Sequence, residues 1–122
     1  MNKTIYVYVA APYTKGDVGS NIHTALWYAD RLISKGFIPF VPHLTHLWHL
    51  VFPRPYDFWM YYDKEWLKKC DCLLRVPGVS SGADEEVKLA ESVFKPVFYS
   101  ITDLIQWRKD QEEKLWIKEK TQ

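Results

Sequence analysis

Residues 71–99 read DCLLRVPGVSSGADEEVKLAESVFKPVFY, and this stretch decides the fold. Its pattern predicts a buried strand over Asp71–Val76, a loop over Pro77–Gly82, a helix over Ala83–Phe94 and a second strand over Pro96–Tyr99. A strand, a helix and a further strand in this order form a βα repeat. Such repeats favour a parallel sheet with helices on both faces.

The same alternation extends through the rest of the chain. A helix with apolar residues at helical spacing ends at Gly36, and a final helix covers about residues 102–119. The other predicted elements are strands over Thr4–Ala10 and Phe37–Val41, a loop over Pro12–Ser20 and a helix over about Tyr56–Lys69; the aromatic, proline-interrupted stretch His43–Phe58 stays largely unassigned. The sequence therefore predicts an α/β fold, a flavodoxin/Rossmann-like sandwich with a mainly parallel sheet of four to five strands and helices on both faces.

Length and charge limit the class of partner. A chain of 122 residues fits one domain, 1–122, with a single core. The 16 basic and 15 acidic side chains leave a formal charge of +1, without the single-signed field that attracts nucleic acid or an anionic membrane. A small molecule is therefore the expected partner. No apolar run approaches the length of a membrane span, and we expect a cytoplasmic protein with Cys70 and Cys72 as reduced, structural thiols.

Glu86 occupies an unusual position on its predicted helix. On a helical wheel it falls inside the apolar stripe, whereas Asp84 and Glu85 point away from it. The stripe itself consists of Ala83, Val87, Ala90, Val93 and Phe94. A carboxylate turned toward the sheet must be hydrogen-bonded or shifted in pKa, and it can act as a nucleophile or as a general acid and base. The alternative is a structural glutamate satisfied by backbone amides.

Two loops are the candidate ligand-binding segments. In open parallel sheets, ligands bind outside the carboxyl ends of the strands. That rule selects the loop Ala11–Ser20 after the first strand and the loop Pro77–Gly82 before the Glu86 helix. Candidate contacts in the first loop are Ala11, Tyr13, Thr14 and Lys15.

Four motifs occur in an order that resembles a known superfamily. They are Tyr8-Val9-Ala10-Ala11-Pro12, Asp63-x-x-Trp66-Leu67-x-x-Cys70-Asp71, Ser80-x-Gly82-x-x-x-Glu86 and Lys95-Pro96-Val97. Over about residues 4–99, the chain resembles the nucleoside 2-deoxyribosyltransferases and nucleotide N-glycosidases. The resemblance implies that Glu86 attacks the anomeric carbon, that Tyr8 orients it and that Asp63 holds the substrate and protonates the departing base. The alternation of side chains along the first strand does not distinguish Tyr6 from Tyr8, because both point to the same face. For Asp63, the alternative interpretation is a surface acid on a helix.

The resemblance also implies substrate contacts. A serine at the position of Ser80 is typical of the nucleotide hydrolases, and with Gly82 and Lys15 or Thr14 it would bind a 5'-phosphate. Ser80 is alternatively a helix cap. Two features depart from the family pattern: Asp84 replaces a glycine, and the loop arginine of the hydrolases has no direct match.

Histidines follow the second strand. His43, His46 and His49 recur every three residues, but no cysteine or carboxylate partner accompanies them, so we expect no metal site. They are interpreted as pocket or surface imidazoles, with His43 the candidate for substrate contact.

Together with the resemblance, these residues predict an N-glycosidase of nucleoside 5'-monophosphates, with the 2'-deoxy form as the expected substrate, that needs no cofactor. Alternatives are base exchange by a deoxyribosyltransferase, a nucleotide-binding module without catalysis, and an unrelated flavodoxin-like domain. The resemblance further implies a homodimer or larger homo-oligomer, and the Trp-bearing C-terminal helix is the expected subunit contact.

Overall fold

Four parallel strands form the centre of the computed structural model, which describes residues 3–121. They are β1 (Tyr6–Ala10), β2 (Ile38–Phe40), β3 (Cys72–Arg75) and β4 (Val97–Phe98), in the order β2-β1-β3-β4. All pairings are parallel. The predicted α/β fold with a parallel sheet is confirmed, and the sheet has four strands.

Helices cover both faces of the sheet. They are α1 (Val18–Ser34), α2 (His46–Val51), α3 (Tyr56–Lys69), α4 (Ser81–Ser92) and α5 (Ile101–Lys120), with a short 3-10 helix over Pro42–Thr45. Alternation along β1 divides the core, because Val7 and Val9 join the cluster under α1 and α5, whereas Tyr8 and Ala10 join the cluster under α3 and α4. Glu86 lies on α4 and therefore belongs to the side of the sheet that α3 and α4 cover.

Capping residues set the helix boundaries. Helix α1 begins at Val18, inside the segment predicted as loop, because the Asp17 carboxylate accepts a 2.8 Å hydrogen bond from the Ser20 amide. It ends before Gly36, whose φ of 88° is the expected left-handed cap. Helix α3 has the predicted bounds.

The prediction that the α4 helix continues to Phe94 is wrong. The helix ends at Ser92, and the Lys95 amide turns back to the Ala90 carbonyl, 2.8 Å away. This closure requires a left-handed residue before Lys95, and Phe94 supplies it with a φ of 60°. Its side chain is 93% exposed and lies outside the buried stripe.

The C-terminal helix extends beyond the core. Leu104 is buried under the sheet, whereas Leu115, Trp116 and Ile117 near its end are exposed. The proposed subunit contact on this helix stays a prediction. Among residues 3–121, no helix has both the length and the apolar character needed to cross a membrane.

Gly78 allows the two candidate loops to approach each other. Its φ is 126°, and a Cβ at this position would lie 2.6 Å from Cγ of Pro12. We expect Gly78→Ala to lower the free energy of unfolding by about 2 to 3 kcal/mol, because it adds a steric clash to an unfavourable backbone conformation. Urea denaturation measures the loss. Gly19→Ala in α1 is the control, since its Cβ would meet only ordinary contact at 3.5 Å; equal stability of the two variants would contradict the prediction.

Candidate active site

A cavity of about 590 Å³ opens at the carboxyl ends of β1 and β3. The chain leaves β1 toward β2 on one side of the sheet centre and leaves β3 toward β4 on the other, so the cavity lies at the topological switch point. Both candidate loops contribute to its wall, together with α3, α4 and the segment between β2 and α3.

Glu86 lines this cavity, and Tyr8 lies beneath it, outside the lining. The Glu86 side chain is buried, with 5% exposure, and the fully buried Tyr8 donates a hydrogen bond from its hydroxyl to Oε2 of Glu86. Tyr6, earlier on the same face of β1, is 49% exposed. The structure therefore brings Tyr8, and not Tyr6, to the carboxylate.

Asp63 lies beside them. It is buried on α3 and lines the cavity with Glu86, so it is not the surface acid of the alternative interpretation. Its Oδ1 atom is buried without a hydrogen-bond partner. Burial, with a contribution from the charge of Glu86, raises the Asp63 pKa to about 8. The group is thus protonated at neutral pH and able to donate a proton.

The ionisation of Glu86 reflects opposing influences. Burial raises its pKa to about 7, against the lowering effect of the Tyr8 hydrogen bond and of the nearby Lys64 and Arg75 cations. Glu85 adds a smaller raising effect. Near neutral pH, the pocket therefore holds one ionisable carboxylate beside one protonated carboxylic acid, a pairing that suits a nucleophile and a general acid.

The raised Glu86 pKa predicts a pH-dependent stability difference. The folded protein retains the Glu86 proton up to about pH 7, above the ordinary value of 4.5, so this group makes folding less favourable as pH rises from about 4.5 to about 7. We expect Glu86→Gln to remove this effect. The free energy of unfolding of the variant relative to the wild type should be about 3 kcal/mol higher at pH 8 than at pH 4. Urea denaturation at both pH values measures it.

Glu91→Gln is the matched control for this measurement. Glu91 is exposed on the same helix, and its replacement should give no comparable pH-dependent difference. A Glu86→Gln difference that is independent of pH would contradict the raised pKa.

The predicted substrate contacts lie around the cavity. Ala11, Tyr13, Thr14, Lys15, His43, Ser80 and Gly82 all line it. Nε2 of His43 donates a 2.7 Å hydrogen bond to the Pro12 carbonyl, which leaves Nδ1 buried without a partner. Burial lowers the His43 pKa, so the ring is neutral. Tyr13 is hydrogen-bonded through its hydroxyl to Nδ1 of His46.

Ser80 also caps α4. Its hydroxyl oxygen accepts a 3.1 Å hydrogen bond from the Ala83 amide, as the alternative interpretation expected. The hydroxyl proton is still free for donation toward the cavity, because a hydroxyl can donate and accept at once. Capping and ligand contact are therefore compatible.

Further cavity residues come from the largely unassigned stretch 43–58 and from α3, which follows it. Arg54, Tyr56, Trp59, Met60, His46 and His49 all line the cavity. Nδ1 of His49 accepts a 2.9 Å hydrogen bond from Nε1 of Trp59, which fixes one wall. The aromatic, proline-interrupted character of residues 43–58 was the available signal, but it identified no single contact. Arg54 supplies a cation at the cavity although no motif marked it.

Asp84, which replaces a glycine of the family pattern, does not form part of the cavity wall. The Asp84 side chain is 65% exposed, pairs with Arg75 at 3.0 Å and is not among the lining residues. Within residues 3–121, no group of three or more His, Cys, Asp or Glu side chains is placed to hold a metal ion.

Comparison with known proteins gives a family and a fold. A family model described as "Domain of unknown function (DUF7768)" matches residues 5–100. Among curated proteins, none matches the sequence. The structure is similar to that of a 2-deoxyribosyltransferase from the psychrotolerant bacterium Bacillus psychrosaccharolyticus, with a TM-score of 0.59, 18% identity, and coverage of 79% of this chain and 75% of the other. At this identity the likeness shows the fold, and the fold implied by the resemblance is confirmed.

Proposed function

Because the chain belongs to the DUF7768 family, whose description assigns no activity, we propose a function from its own pocket: the protein cleaves the N-glycosidic bond of a nucleoside 5'-monophosphate. One observation carries this proposal. A buried glutamate, hydrogen-bonded by Tyr8, shares a cavity floor with an aspartic acid that keeps its proton at neutral pH. This is the arrangement that a two-step displacement at an anomeric carbon needs.

The reaction follows from the roles of the two acids. An oxygen of the Glu86 carboxylate bonds to C1' of the sugar as the bond from C1' to the base nitrogen breaks, and the base nitrogen takes the proton of Asp63. Water then attacks C1' of the resulting ester, gives its proton to the Asp63 carboxylate and releases Glu86. Two displacements retain the configuration at C1'. The products are free base and sugar phosphate, and no cofactor takes part.

The charge distribution supports a phosphorylated substrate. Lys15 and Arg54 are exposed lining residues, whereas Asp63 and Glu86 are buried. The cations therefore lie toward the mouth, where a phosphate keeps part of its hydration, and the acids lie at the floor, where the glycosidic bond would react. The Ser80 hydroxyl and the start of α4 add donors for the same anion.

Base exchange is the second candidate function. The similar structure from Bacillus psychrosaccharolyticus is a 2-deoxyribosyltransferase, and the same Glu86 ester would serve if a second base, instead of water, attacked C1'. The third possibility, a binding module without catalysis, depended on the change at Asp84. The exposed position of Asp84 supports an enzyme over that module.

One incubation distinguishes these functions. Purified protein is mixed with each deoxynucleoside and ribonucleoside 5'-monophosphate, and with the unphosphorylated nucleosides, in the presence and absence of a different free base. Chromatography that detects free base with sugar phosphate supports hydrolysis, and a new nucleotide supports exchange. Binding of a nucleotide without any base release would overturn the proposal in favour of the binding module.

A further inference from the structure

Arg75 connects three segments behind the pocket. It is the last residue of β3, and only 10% of its side chain is exposed. Its guanidinium donates to the carbonyl oxygen of Val76, to that of Gly78 at 2.9 Å and to Oδ1 of Asp84 at 3.0 Å. One nearly buried cation thus joins the end of the strand, the loop after it and the first turn of α4.

The tethered segment carries cavity residues. Val79 and Ser80 lie between the Gly78 carbonyl and α4, and both line the cavity, whereas Arg75 and Asp84 do not. Two residues beyond Asp84, Glu86 points from the same helix toward Tyr8. Residues two apart lie on different sides of a helix, so Asp84 can bind Arg75 on one side of α4 while Glu86 faces the cavity on another.

We infer that Arg75 is a positioning residue that fixes the 77–80 loop and the start of α4, and through them the place of Glu86 beside Tyr8. Asp84 is its partner in this role, so the departure from the family pattern supports the site from outside the cavity. The consequence for base release rests on the proposed function; the positioning itself is measurable without catalysis.

The positive charge of Arg75 also favours the ionised form of Glu86. Among the groups that surround Glu86, burial has the largest effect and raises its pKa, and Tyr8 of β1, Lys64 of α3 and Arg75 of β3 lower it. Glu85 raises it, and Asp63 is protonated while Glu86 ionises. Arg75 is therefore one of two cations that favour the carboxylate form.

The test compares Arg75→Met, which removes the charge, with Arg75→Lys, which keeps the charge but has a single terminal nitrogen in place of the planar guanidinium, whose Nη1 and Nη2 atoms bind different acceptors. Arg31→Met, at an exposed position on α1, is the control. Hydrogen exchange of the backbone amides of residues 79–84 measures the positioning. Carbon-13 NMR of the labelled Glu86 carboxyl follows its titration.

We expect faster exchange of these amides in both Arg75 variants, and an upward shift of the Glu86 titration in Arg75→Met that Arg75→Lys largely reverses. If base release occurs, kcat should fall about 10- to 100-fold in Arg75→Met, with a smaller change in KM, because Glu86 is displaced from its attacking position. Should Arg75→Met not fold, Arg75→Lys carries the exchange test. Unchanged exchange in Arg75→Lys would overturn the inference, and absence of base release from the wild type would overturn only the proposed function.

Discussion

Glu86→Gln is expected to lower kcat for base release by about 10⁴-fold or more, since the amide oxygen of glutamine is too weak a nucleophile to form the sugar ester. The substitution preserves size, and the Tyr8 hydroxyl can donate to the glutamine oxygen as it does to Oε2 of Glu86. The variant therefore removes the reactive group while it keeps the contacts of the site.

The variant should still fold and bind. Glu86→Gln gains stability relative to the wild type above pH 7, because the folded protein no longer has to bury a carboxylate. Loss of activity at pH 8 thus cannot be attributed to unfolding. Isothermal titration calorimetry with the best nucleotide substrate is expected to give a Kd within a few-fold of the wild-type KM.

Glu91→Gln serves as the control for kinetics as well. It makes the same chemical change on an exposed part of α4, and its kcat should equal that of the wild type. If Glu86→Gln retained base release within ten-fold of the wild type, the nucleophile would be another group or water, and the proposed two-step mechanism would be wrong.

The fold was predictable because it depends on local patterns. The change from strand to helix spacing between residues 71 and 99 defined one βα repeat, and the apolar periodicity before Gly36 defined another. Parallel strands then follow from the helical connections. The inward orientation of Glu86 was also predictable from local sequence, since a helical wheel needs only the sequence of one helix.

Contacts that depend on the path of a loop could not be predicted. The pairing of Arg75 with Asp84 requires the chain to turn at Gly78 and return over the strand end, and nothing in either residue indicates it. For the same reason, the contact that Asp84 makes with Arg75 could not be predicted from the replacement of a family glycine by Asp84. Alternation along β1 did not distinguish Tyr6 from Tyr8, whereas the resemblance named Tyr8; the structure shows the contact, because the Tyr8 hydroxyl donates to Glu86.

The segment between β2 and α3 was unassigned because its helices are short and its prolines interrupt any periodicity. The 3-10 helix over Pro42–Thr45 and α2 depend on packing of aromatic side chains, such as Trp48 on Trp59. His49 accepts a hydrogen bond from Trp59, Arg54 stacks on Phe58, and both side chains line the cavity. Their place in the site is a tertiary property that a local pattern does not contain.

Asp63→Asn is expected to lower kcat/KM by about 10²- to 10³-fold, because asparagine cannot protonate the departing base. The loss should depend on the leaving group. A nucleotide of 7-methylguanine already carries a positive charge on its base and leaves without protonation, so the variant should lose much less activity on it. Asp57→Asn, an exposed position on the same helix, is the control and should react like the wild type on both substrates.

The pH profile gives an independent test of the same assignment. In the wild type, kcat/KM should rise as Glu86 ionises at about pH 7 and fall as Asp63 loses its proton at about pH 8, which gives a narrow bell. Asp63→Asn should lose the fall at high pH and keep the rise near pH 7, since Asp63 is still protonated when Glu86 ionises. Persistence of the high-pH fall in Asp63→Asn would assign the general acid to a different group.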